Sequence, residues 1–129
     1  MHRILLPAAA LGLAGCGGAP QPLPMAGTPA ACRAALVAAL DGWKQGRTYQ
    51  QMADESPPVL LRDDDLNRGA KLLDYRIEGD GQARGTGYSY VVTLTLQDRG
   101  GAKTPARKKV AYNAVSEPAR GIFREDRKP

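Results

Sequence analysis

The sequence contains one histidine, His2, in 129 residues. That residue lies in a segment, residues 1–15, that has the pattern of a cleaved export signal. The chain after this segment has no imidazole, so it has no histidine to act as a general base or as a metal ligand. Function classes that depend on histidine, including the common zinc and copper sites, are therefore excluded for the mature protein.

Aromatic residues and net charge are also limited, and both limits bear on the core and on possible partners. Aromatics make up 5% of the chain, so we expect a core built mainly from Leu, Val, Ala and Tyr. The formal net charge is +5, and the basic residues are not interleaved with aromatic ones as in nucleic-acid-binding motifs. We expect one small domain, no nucleic-acid partner and no cofactor.

Residues 1–16 combine a basic start, a short apolar run and a cysteine. The apolar run, Ile4 to Leu13, is too short for the roughly 20 residues that a membrane-spanning helix needs. It ends in Leu13-Ala14-Gly15-Cys16, and this ending resembles the lipobox of bacterial lipoproteins. The resemblance implies cleavage between Gly15 and Cys16 and acylation of the Cys16 thiol and amine.

This resemblance implies an exported protein whose first partner is membrane lipid. Two or three acyl chains on Cys16 would anchor the chain stably to a bacterial membrane, the outer membrane or cell surface if the source is Gram-negative. The segment 16–28 is rich in Gly and Pro, which predicts a tether. Cys32 is then the one remaining thiol and is expected to be a buried apolar residue; the alternatives are a reactive thiol or an intermolecular disulfide.

Residues 29–124 predict a single α+β domain, and the charged tail at 125–129 is expected to fray. Thr28 is a good N-cap and Pro29 suits the first helical position, so the sequence predicts a helix of about 17 residues there. An apolar stripe follows at helical spacing: Cys32, Leu36, Leu40 and Trp43.

The second half of the domain changes to a period of two. Alternation of polar and apolar residues from Lys71 onward predicts about four antiparallel strands, with a turn at Gly79-Asp80-Gly81. The short run Val59-Leu60-Leu61 could add an edge strand.

A candidate ion site lies in residues 62–69, where Asp63, Asp65 and Asn67 alternate as oxygen ligands do in calcium loops. The segment has neither the turn glycine nor the closing glutamate of an EF-hand. The alternative is a turn in which an aspartate caps a short helical turn near Leu66. The three residues are weak metal candidates, and we expect no metal.

A second candidate site is the basic C-terminal half of the domain. Its weak binding candidates are Arg107, Lys108, Lys109, Arg120 and Arg124. The alternative interpretation is a solvated charged face with no specific partner.

The order of a helix, a short helix and hairpin strands resembles cystatin-like and NTF2-like domains of small lipoproteins from planctomycete-type bacteria. The residues that carry the resemblance are 40–46 (LDGWKQG), 56–58 (SPP), Gly69, Leu72, Tyr75 and 110–115 (VAYNAV). The resemblance covers about residues 33–125. It implies an α+β fold in which one long N-terminal helix packs on a curled antiparallel sheet of about four strands, and it implies no activity.

Two functions from different classes follow. The favoured one is a non-enzymatic binding or structural module of the cell envelope, with an envelope protein or polymer as its partner. The alternative is a small-ligand-binding or enzymatic cone enclosed by the sheet, which would need a carboxylate inside the cone. Asp74 and Glu78 lie opposite the apolar face of their predicted strand, so a buried acidic pair is not expected.

Overall fold

The computed structural model describes residues 25–101, 103–127 and 129. The predicted signal peptide, the lipobox with Gly15 and Cys16, and most of the tether therefore lie outside the described residues. The helices and strands are α1 Pro29–Lys44, α2 Tyr49–Ala53, β1 Val59–Arg62, α3 Asp64–Asn67, β2 Lys71–Arg84, β3 Gly87–Gln97, β4 Ala106–Val115 and β5 Arg120–Arg124.

Helix α1 begins where the sequence placed a helix start. The Thr28 hydroxyl accepts a hydrogen bond from the Ala31 N–H at 3.1 Å, and Gly46 follows the helix with a φ of +89°. The apolar stripe faces the sheet and is buried, including Cys32. Trp43 is 3% exposed at the end of this stripe, and its indole N–H donates to the Ala70 carbonyl at 2.9 Å.

The predicted fold was wrong about the number and direction of the strands and about the presence of a long helix. The sheet has five strands in the order β1-β5-β4-β3-β2, and it is mixed because β1 runs parallel to β5. Helix α1, with 16 residues, is the one helix of seven or more in the part of the chain that the structure describes. One long helix on a four-stranded antiparallel sheet, the cystatin-like or NTF2-like arrangement, is therefore not what this chain forms.

The two faces of the sheet differ in chemistry. On the face covered by α1, Tyr90 lies opposite Tyr112 and Val92 opposite Val110, and all four side chains are buried. On the other face, polar and charged side chains of β3 and β4 are paired, such as Thr93 with Lys109. Since successive strand residues point to opposite faces, this alternation decides which basic residues share a site.

The predicted turn at Gly79-Asp80-Gly81 was also wrong. Strand β2 continues through these residues with an irregular register between Glu78 and Gln82, and the chain turns at Gly85-Thr86. Both Gly79 and Gly81 have positive φ, which fits a bulge as well as a turn. The glycines therefore signalled irregular backbone without distinguishing between the two.

The parallel pair positions the cleft described next. Because β1 and β5 run in the same direction, their carboxyl ends lie together, with Arg62 opposite Phe123. Helix α3 begins directly after β1, at this end of the two strands. Strand β4 runs antiparallel to β5, so its amino-terminal part, which includes Lys108, lies at the same end of the sheet.

Candidate functional site

A cleft of about 710 Å³ opens at the carboxyl ends of β1 and β5. Its basic lining residues are Arg62, Arg68, Lys108 and Arg124, and an equal number of acidic residues line it. The Arg62 guanidinium lies over the Phe123 ring, 5.8 Å from the ring centre. In open α/β sheets, ligands commonly bind outside the carboxyl ends of parallel strands.

A group of charged side chains lies beside the cleft, and Asp63 is its most deeply buried member. Its side chain is fully buried, and its Oδ1 accepts hydrogen bonds from the N–H groups of Asp65 at 2.7 Å and Leu66 at 3.2 Å. Asp63 is therefore the N-cap of α3, a position that aspartate favours. Its Oδ2 accepts a hydrogen bond from the Tyr112 hydroxyl, and Arg124 Nη1 lies 3.2 Å from Oδ1.

Asp65 is surrounded by three cations. Its Oδ1 accepts a hydrogen bond from Arg68, and its Oδ2 lies 2.9 Å from Lys108 Nζ and 2.5 Å from Arg124 Nη1. Burial alone would raise the pKa of Asp65, but the hydrogen bonds from Arg124, Lys108 and Arg68 outweigh burial and lower this pKa to about 2. Asp65 is therefore a carboxylate at neutral pH.

The partners of the two aspartates keep their protons. Burial and the nearby carboxylate of Asp63 raise the pKa of Tyr112, so the phenol remains a hydrogen-bond donor. Burial would lower the pKa of Arg124, but its hydrogen bond to Asp65 and the charge of Asp63 raise it. We call these five residues, Asp63, Asp65, Lys108, Tyr112 and Arg124, the charged network.

The acidic loop of residues 62–69 has a structural role. Asp63 caps a short helix and Asp65 holds cations, whereas Asn67 is exposed at the end of α3. Within residues 25–101, 103–127 and 129, no group of three or more His, Cys, Asp or Glu residues is arranged to hold a metal ion. The carboxylate oxygens that a metal would need are bonded to protein donors.

The five basic candidates fall into separate places. Lys108 and Arg124 meet in the charged network, because both point to the α1 side of the sheet. Lys109 points to the opposite face and pairs with Glu78 at 3.4 Å, and Arg107 is exposed on that same face. Arg120 lies at the other end of β5, where its guanidinium donates to the carbonyls of Pro57 and Pro58.

Tyr112 is the network member that sequence reasoning missed. Alternation along β4 places Lys108 and Tyr112 on the same face as the apolar residue Val110. A lysine and a phenol on a core-facing stripe need buried partners, because an unpaired buried polar group is costly. That requirement was the available signal for a buried carboxylate, which proved to be Asp63 together with Asp65.

Comparisons with protein-family models, with curated proteins and with solved structures found no match to this chain. Among the described helices, none has the length and hydrophobicity required to span a membrane.

Proposed function

We propose that this protein is a lipid-anchored module of the bacterial cell envelope that acts by binding rather than by catalysis. Its ligand bears a carboxylate or phosphate group and occupies the charged cleft. The anchor is supported by the sequence Leu13-Ala14-Gly15-Cys16 after a short apolar run. The binding role is carried by one observation: Arg124 and Lys108 keep N–H donors at the cleft beyond those that bind Asp63 and Asp65.

The distribution of donors and acceptors supports an anionic ligand. The oxygens of Asp63 and Asp65 accept hydrogen bonds from backbone, phenol, ammonium and guanidinium donors within the protein. Arg124 is 20% exposed, and its hydrogen bonds to described residues all involve Nη1, so Nε and Nη2 are left for another acceptor. The Lys108 ammonium also has three donors and uses one of them on Asp65. Carboxylates and phosphates suit this donor set.

A binding role fits the acid–base properties of the network better than catalysis. A general base works best when its pKa lies near the working pH, whereas the pKa of Asp65 is held at about 2. The carboxylate oxygens of Asp63 accept hydrogen bonds from the first turn of α3, from Tyr112 and from Arg124. Neither carboxylate is available to take a proton from a bound substrate.

The anchor is tested with the two cysteines of the chain, each replaced by serine. We expect Cys16→Ser to abolish fatty-acid labelling and membrane fractionation, and Cys32→Ser to leave both unchanged. Cys32 is a matched control because its thiol is fully buried in the domain. Labelling of the Cys16→Ser protein at the level of the unaltered protein would refute the lipid anchor.

The cleft is tested with two adjacent lysines of β4 that point to opposite faces of the sheet. Lys108 and Lys109 have similar side-chain exposure, 43% and 55%. Titration of inorganic phosphate or acetate, followed by NMR, should shift amide signals around Arg124 in the unaltered protein. Lys108→Gln should weaken this response and Lys109→Gln should preserve it. Equal effects of the two substitutions, or no response at Arg124, would contradict binding in the cleft.

A further inference from the structure

Strand β2 forms one edge of the sheet. Among the described residues it pairs with β3 alone, so the backbone groups that point away from β3 are open to another strand. The Arg33 side chain covers this edge at one point, where its guanidinium donates to the Gly79 carbonyl at 2.9 Å. Before that point, Leu73 is 42% exposed, which is unusual for a large apolar side chain of this domain.

The charges along this edge are self-complementary. Asp74, Arg76 and Glu78 share the face of β2 that points away from α1, since their partners Thr95, Thr93 and Val91 lie on that face of β3. Arg76 makes no ion pair with any described residue. Asp74 pairs only with Lys44, at 3.6 Å between two well-exposed side chains, and such a pair contributes little.

Charge complementarity favours one register for antiparallel pairing of two copies of β2. With the twofold axis at Tyr75, the pairing forms two symmetric contacts, each between Asp74 of one copy and Arg76 of the other. An axis at Asp74 would place two aspartates opposite each other, and an axis at Arg76 would do so for two arginines. An axis at Ile77 would place Asp74 of one copy opposite Asp80 of the other. Of these four registers, the one centred on Tyr75 is free of opposed like charges.

We propose that two copies of this chain pair antiparallel through β2, with the twofold axis at Tyr75, and join their five-stranded sheets into one. The backbone edge supplies the hydrogen bonds, and the two Asp74–Arg76 contacts set the register. This interface lies on the opposite edge of the sheet from β1 and is independent of the ligand proposed for the cleft.

The test is sedimentation velocity of the purified full chain in density-matched detergent over a range of protein concentrations. The unaltered chain should show a monomer–dimer equilibrium. Arg76→Asp replaces both attractive contacts with repulsive ones and should raise the dimer dissociation constant by about tenfold or more. Combining Arg76→Asp with Asp74→Arg restores complementarity in this register alone, so the double variant should regain the original affinity.

The control is Arg107→Asp, which changes the same charge on β4, inside the sheet order and away from the β2 edge. It should dimerise like the unaltered chain. The proposal is overturned by a monomer at every concentration, by assemblies larger than a dimer, or by Arg76→Asp having no effect. Failure of the charge swap to restore affinity, or an equal loss with Arg107→Asp, would also overturn it.

Discussion

Replacement of Asp65 by asparagine removes the charge that three cations share and keeps the shape of the side chain. The carboxylate is 8% exposed, and its pKa falls from an ordinary 3.8 to about 2 in the folded protein. A difference of this size corresponds to about 2 kcal/mol of folding free energy carried by the ionised form. We therefore expect Asp65→Asn to lower the free energy of unfolding by about 2 kcal/mol near neutral pH.

The pH dependence gives the prediction its sign. Because the folded-state pKa is depressed, the contribution of Asp65 is fully present above the unfolded pKa and is lost as the pH falls through the folded pKa. The difference between the unaltered protein and Asp65→Asn should thus shrink between about pH 4 and about pH 2. Urea unfolding at several pH values measures this difference directly.

Asp64→Asn is the matched control, because Asp64 is adjacent and exposed in the first turn of α3. It should cost only a few tenths of a kcal/mol, the usual size of an exposed helix-end charge effect. An equal cost for the two substitutions, or a cost of Asp65→Asn that persists undiminished at about pH 2, would refute the proposed electrostatic role of Asp65.

Three further predictions concern the core, the ion site and the β2 bulge. Trp43→Ala should lower the free energy of unfolding by about 3–5 kcal/mol, and native tryptophan emission should be blue-shifted; emission typical of free water exposure would contradict this. A metal chelator should leave the melting temperature unchanged, and a drop that calcium restores and Asp65→Ala abolishes would show that a cation binds the acidic loop. Gly81→Ala should destabilise more than Gly79→Ala in urea unfolding. Both glycines have positive φ, but a methyl group at Gly81 would lie 2.5 Å from the Tyr90 ring, whereas the space at Gly79 is open; equal costs would argue against this contact.

Local signals in the sequence located α1 well. Its N-cap Thr28, the proline after it and the left-handed Gly46 act over one helical turn, so each could be read without knowing the rest of the fold. The burial of Trp43 followed from helical spacing in the same way. Strand alternation is a local signal of the same kind, and in β4 it puts Lys108, Val110 and Tyr112 on one face.

Contacts between distant segments could not be read in this way. The run that forms β1 pairs with the last strand, so that Leu61 lies opposite Ile122. The periodicity of a strand does not indicate which other strand it pairs with. The resulting mixed sheet is why the predicted antiparallel architecture was wrong. The charged network depends on the same pairing, since Asp63 follows β1 and Arg124 ends β5. Its acidic and basic members were therefore identified separately, as an ion loop and as a basic face.

Lipid anchoring at Cys16 can be tested by intact-protein mass spectrometry of the protein extracted from membranes. We expect a chain that begins at Cys16 and carries the added mass of two or three acyl chains, confined to that residue on fragmentation. A chain that retains residues 1–15 with an unmodified Cys16 thiol would contradict it.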